Sequence, residues 1–129
     1  MPRIPIDKIY MQIAYQVAKL SYAERRKVGC VIVKDGKIIG RGNNKVTSTN
    51  DPTAHAEVEA IRNACINLGS FQLDGCTLYT SCEPCPMCLG AIYWARLDKI
   101  YFANNKTDAK NIGFDDSFIY EEIEKPRFE

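Results

Sequence analysis

The sequence predicts an α/β domain built on a mixed sheet, and three observations carry that expectation. Val28-Gly29-Cys30-Val31-Ile32-Val33 is an unbroken apolar run, the pattern of a strand buried on both faces. Lys34-Asp35-Gly36-Lys37 follows it, with Asp-Gly where a two-residue hairpin needs positive φ, so the next strand returns antiparallel. Beyond the hairpin, stretches of helical apolar spacing alternate with short strand-like runs, the order of a sheet covered by helices.

Size and charge set the outer limits. At 129 residues the chain is expected to form one domain with room for a substantial core. Its 17 Lys and Arg nearly balance its 16 Asp and Glu, so no strong field draws it to nucleic acid or membrane. No apolar stretch is long enough to cross a bilayer as a helix, and Met1-Pro2-Arg3-Ile4-Pro5 is no apolar signal region. Six cysteines, three of them in one short loop, suit a reducing compartment better than a disulfide scaffold, which makes the expected location cytoplasmic.

Taken in order, Asp7 caps a first helix over 8–20, with Ile9, Ile13, Val17 and Leu20 at helical spacing and Tyr10 and Ala14 widening the face. Residues 21–27 form a polar, basic connection; Glu24-Arg25-Arg26-Lys27 reads as a solvated charge run, with phosphate contact as the sharper alternative. The hairpin strands cover 28–33 and 37–42. Asn43 and Asn44 leave the second strand. An Asn there either shapes a turn or reads a base edge with its amide, and the residues alone do not choose. Residues 47–52 are a polar loop. A helix over 54–68 buries Val58, Ile61, Ala64, Cys65 and Leu68, and Gly69 ends it. Strand 77–80 leads to the cysteine loop, helix 86–95 turns Leu89, Ile92 and Tyr93 inward, and strand 99–103 follows. A short helix over 107–111, an aromatic–acidic stretch over 114–120 and a charged tail over 121–129 complete the chain.

The chemistry concentrates in Thr53-Ala54-His55-Ala56-Glu57 and Cys82-Glu83-Pro84-Cys85-Pro86-Met87-Cys88. Imidazole and thiolate are good zinc ligands, and a catalytic zinc keeps three protein ligands and one position for water. His55, Cys85 and Cys88 are the expected ligands of Zn2+, leaving Glu57 free to move protons. Pro86 suits the first position of a helix, which places Cys88 in its first turn, where the positive end of the helix favours a thiolate. A Cys-x-x-Cys alone also fits a structural zinc corner or a redox pair. An iron–sulfur run needs a further cysteine and a proline where Ile92 and Tyr93 stand, so Cys82 reads as a spare thiol. Cys30 and Cys65 read as buried thiols, and Trp94 as a core residue or a ring stacked on a planar substrate.

These motifs resemble the cytidine deaminase-like superfamily, whose zinc signature is H-x-E with P-C-x-x-C, and within it bacterial guanine deaminases in particular. The resemblance rests on residues 50–57, residues 79–96 and Gly113-Phe114-Asp115-Asp116-Ser117-Phe118, and covers roughly Gly40 to Lys125. The zinc motif is specific to the superfamily. The last run points to guanine, since tRNA adenosine deaminases share Asp-Pro-Thr-Ala-His-Ala-Glu but lack it. The resemblance implies a three-layer α/β/α sandwich around a mixed sheet and hydrolytic deamination of a small nucleobase, guanine to xanthine and ammonia. It implies catalysis by Glu57, base contacts from Asn44, Asp116 and Trp94, and a homodimer, in some relatives with an exchanged C-terminal segment.

Two stretches depart from that pattern. Guanine deaminases carry Gly-Pro-Phe-Gly before the first strand, with the Phe packed on the base; here the matching run is Lys27-Val28-Gly29. The segment 24–30 is more similar to deoxycytidylate deaminases and the riboflavin-pathway deaminase. Relatives also continue past Lys125-Pro126 into a last strand and helix, so 1–129 is expected to be a single deaminase domain without them. The alternatives these departures keep open are deamination of cytosine, deoxycytidylate or tRNA adenosine, and a zinc-binding domain with impaired catalysis.

Overall fold

The computed structural model describes residues 6–22 and 27–104. They form α1 (Ile6–Ala18), β1 (Gly29–Lys34), β2 (Lys37–Asn43), α2 (Val46–Thr49), α3 (Ala56–Leu68), β3 (Thr77–Cys82), α4 (Pro86–Ala95) and β4 (Lys99–Asn104). The strand order is β2-β1-β3-β4. β1 pairs antiparallel with both β2 and β3, while β3 and β4 are parallel, so the sheet is mixed. The parallel pair arises because α4 carries the chain back over the sheet between its two strands.

Alternation along the strands sorts side chains between two layers. Cys30, Ile32 and Leu78 face one side and pack with Ala56, Ala60 and Ala64 of α3 and Ile92 and Ala95 of α4. Val31, Val33 and Tyr79 face the other and pack under Ala14 and Val17 of α1. β1 is buried from Gly29 to Val33, as its apolar run predicts. This is the α/β/α arrangement expected from the sequence.

Several expected details differ. Asp7 lies inside the first turn of α1 rather than capping it, and its carboxylate accepts a hydrogen bond from the Tyr79 hydroxyl instead. Burial raises the Tyr79 phenol above its ordinary value, and the bond to Asp7 adds to that. Leu20 falls beyond the helix end and is exposed, and Ile9 lies at the rim. The polar stretch after β2 contains the short α2, closed by Asn50 in the left-handed region. On α4, Cys88, Ile92 and Ala95 face inward while Tyr93 is 69% exposed. The expected helix over 107–111, the 114–120 stretch, the tail and most of the 24–27 charge run lie outside the described residues.

The largest correction concerns α3. Val58, Ile61, Ala64, Cys65 and Leu68 were expected on its buried face; Ala64 is there, but Ala56 and Ala60 are pressed as deep while the larger residues are only half-buried. The cause is β2. A Cβ at Gly42 would stand 2.3 Å from the Ala56 carbonyl oxygen, and one at Gly40 would stand 2.6 Å from the Ala64 Cβ. Helix backbone and strand backbone therefore meet with nothing larger than alanine between them. Ile61, Cys65 and Leu68 pack around this seam, half-buried. Gly42→Ala is expected to destabilise the fold by about 1–3 kcal/mol, because the clash is with backbone and cannot be relieved by a rotamer change. Urea denaturation of the variant beside the wild type measures this.

Candidate active site

The strand-to-helix connection before α3 is tightly tied. The Lys45 amide donates to the Ala54 carbonyl at 2.9 Å, which holds Asn44 beside the start of α3. The Thr53 amide and hydroxyl both donate to Asp51 Oδ1, at 2.8 and 2.7 Å, and Arg62 lies 3.7 Å from the other oxygen. The hydrogen bonds from Thr53, its hydroxyl first, hold the Asp51 carboxyl below its ordinary value. A carboxyl lowered in the folded state stabilises that state at neutral pH, and the contribution is lost as pH falls through the lowered value.

Two helix starts then meet. His55 is the N-cap of α3 and Cys85 the N-cap of α4, both with extended backbone. Their carbonyls begin the helices, accepting from the Glu59 amide at 2.9 Å and the Leu89 amide at 2.8 Å. Their side chains cap nothing. They turn toward each other, and Cys88 joins them from the first turn of α4, behind Pro86. The sequence reading placed His55 within the first turn; the structure shifts it to the cap and leaves Glu57 as the second helical residue.

His55 Nδ1 lies 3.5 Å from Cys85 Sγ and 3.4 Å from Cys88 Sγ. All three donor atoms fall within 4.8 Å of one another. Tetrahedral zinc, with sulfur at about 2.3 Å and nitrogen at about 2.0 Å, sets nitrogen and sulfur about 3.5 Å apart. Chemistry and spacing of the donor set therefore fit zinc. Cys85 is pulled down to about 4, first by its hydrogen bond with Cys88, against burial, and then by His55. Cys88 is pushed up by the same sulfur–sulfur bond, then by burial.

Glu57 is 4% exposed, and its Oε1 accepts a hydrogen bond from the Thr80 hydroxyl at 3.0 Å. Burial raises its carboxyl above the ordinary value, opposed by hydrogen bonds from Cys88 and Thr80. A small cleft, open to solvent, is lined by Val28, Asn44, His55, Ala56, Glu57, Cys82, Glu83 and Cys85. Asn44 Oδ1 accepts from the Val46 amide at 3.0 Å, which fixes the orientation of its amide group. Ser21 donates to the Asn44 carbonyl at 2.6 Å.

The structure thus gathers His55, Glu57, Asn44, Cys85 and Cys88. Trp94 lies nine residues beyond Cys85, roughly 13 Å along the helix axis, is 81% exposed and is not among the residues lining the cleft. Asp116 lies outside the described residues. Sequence reasoning missed Thr80, Cys82 and Glu83. Thr77, Tyr79 and Ser81 also carry hydroxyls on that strand, so nothing in the sequence singles out Thr80.

His55→Ala and Cys88→Ser are each expected to reduce bound zinc from about one per chain to near zero after dialysis. Atomic absorption on the dialysed proteins reads the result directly.

Comparison with known proteins agrees with this geometry. Residues 5–104 match the cytidine and deoxycytidylate deaminase zinc-binding region. The chain is 69% identical over 98 residues to guanine deaminase of Bacillus subtilis, covering 76% of this chain and 63% of that protein. It is 41% identical over 95 residues to a tRNA-specific adenosine deaminase of Aquifex aeolicus, covering 73% of this chain and 63% of that one. The crystal structure of the Bacillus subtilis guanine deaminase superposes with a TM-score of 0.86 at 58% identity, over 92% of this chain and 77% of that one. The chain thus spans a little under two thirds of the length of these curated relatives. No described helix is long and apolar enough to cross a membrane. A match this extensive, on a site with these ligands, places the chain in the cytidine and deoxycytidylate deaminase zinc-binding family.

Proposed function

We propose that the protein hydrolyses guanine to xanthine and ammonia at the His55–Cys85–Cys88 zinc site, with Glu57 as the proton carrier. The observation that carries this is the 69% identity to a guanine deaminase. The grouping of the three donor atoms beside a buried carboxyl supports it.

His55, Cys85 and Cys88 would hold zinc, which would lower the pKa of a bound water to about 7 and so supply a nucleophile at neutral pH. The protein's own residues do the rest. Glu57, raised by burial, accepts a proton from the attacking water, passes it to the ring nitrogen beside C2, and moves a second to the departing amine. Water adds at C2, the C2–N bond breaks, and ammonia leaves, so atoms balance as guanine plus water. Asn44, its Oδ1 committed to Val46, offers its amide N–H groups to acceptors on the base. Asp116, by the resemblance, accepts from the guanine N–H edge. Val28 closes one wall where relatives stack an aromatic ring.

That same wall favours a second reading, deamination of another amine such as cytosine, deoxycytidylate or tRNA adenosine, because Val28 gives a base less to stack on. Ammonia release by zinc-loaded protein across guanine, cytosine, deoxycytidylate and tRNA separates the two. Xanthine from guanine at the highest kcat/KM supports the first; turnover of another substrate with none of guanine removes it. Glu57→Gln is expected to lower kcat by about 100-fold or more with zinc retained. Unchanged turnover in that variant means that Glu57 does not carry the proton.

We also infer a homodimer. Apolar side chains surround α4, leaving Tyr93 and Trp94 exposed beside inward-facing Ile92 and Ala95. A helix apolar on all sides needs cover on its outer face, and a second copy would bury these rings. Sedimentation of the wild type at twice the monomer mass, and of Trp94→Asp at the monomer mass, is the expected result.

A further inference from the structure

We propose that Thr80 is a positioning residue: its hydroxyl holds one oxygen of Glu57 so that the other faces the cleft. The proposal deepens the deaminase reading and rests on it for its kinetic arm.

Thr80 stands on β3, opposite Cys30 of β1, on the sheet face that carries Ile32 and Leu78. Its neighbours on that face are apolar, and its own exposure is 0%. A hydroxyl placed there costs free energy unless it finds a partner. The partner it finds is Glu57 Oε1, at 3.0 Å. Valine has nearly the same shape, suits a buried strand and would pack without that cost, so packing does not account for the hydroxyl.

The bond has a geometric consequence. Glu57 leaves the second position of α3 with three side-chain torsions, and the helix fixes none of the outer ones. Thr80 belongs to a different element, hydrogen-bonded into the middle of the sheet. The bond therefore refers the carboxyl to the sheet instead of to its own helix. The same strand ends in Cys82, at the cleft wall, and leads to Cys85. One strand thus sets both the metal loop and the orientation of the proton carrier, and their separation is held by continuous backbone. A carboxyl held only from the Cys88 side would spend part of its time with neither oxygen toward the reacting water, and positional errors near 1 Å cost on the order of 100-fold in rate.

The test compares Thr80→Val, which removes the hydroxyl and keeps the shape, with Thr80→Ser, which restores it. Zinc content and circular dichroism are read first, and Thr80→Ala serves as the hydroxyl-free variant if valine does not fold. The expected result is zinc retained at about one per chain, kcat lowered by about 10- to 100-fold in Thr80→Val, KM changed by less than about threefold, and kcat recovered to within about threefold in Thr80→Ser. A second readout does not depend on substrate. The Glu57 carboxyl band, isolated as the infrared difference between zinc-loaded protein and its Glu57→Gln variant, is expected to shift in Thr80→Val and return in Thr80→Ser. A band shift in a protein inactive on guanine sinks the substrate reading and keeps the positioning role. Thr80→Val at wild-type kcat with an unmoved band, or Thr80→Ser as slow as Thr80→Val, overturns the proposal.

Discussion

The site depends on how closely α3 lies against β2. Glycines at 40 and 42 and alanines at 56, 60 and 64 bring two backbones nearly into contact. A helix so seated has little freedom to slide or roll, because each small residue fits a place where nothing larger fits. Its first residues carry His55 and Glu57, so the seam sets where the imidazole and the carboxyl emerge. The other half of the site comes from the sheet, since β3 runs straight into the cysteine loop. The separation of the nitrogen from the two sulfurs is thus a consequence of sheet geometry.

The electrostatics follow from that placement. Two helix N-termini converge, and each brings partial positive charge to groups that work as anions. The thiolate character of Cys85 and the carboxylate of Glu57 are both served. Burial acts the other way on Glu57, raising its carboxyl. A group held between these influences can take up and release a proton, whereas one on the surface would stay ionised. The Thr80 hydroxyl donates to one oxygen of that carboxyl.

Much of this was legible in the residues. The mixed sheet followed from the Val28–Val33 run and the Asp35-Gly36 turn, because a continuous apolar strand and a positive-φ pair leave few alternatives. The zinc set followed from spacing. The alanine seam was not legible, because periodicity weighs large apolar residues, and the contact is made by residues too small to register. Thr80 was hidden for a related reason: its role depends on which strand faces which helix. The cap at Cys85 followed from Pro86 at the first helical position, whereas α3 starts at Ala56, two residues later than expected. Val28 lies within the stretch that the family model matches, and it lines the cleft.

X-ray absorption at the zinc edge of the purified wild-type protein tests the central claim most directly. The account predicts two sulfur scatterers at about 2.3 Å and two nitrogen or oxygen scatterers near 2.0 Å, one of them exchangeable solvent. A shell of four sulfurs, or of sulfur and nitrogen with no solvent oxygen, would describe a closed structural site and contradict it.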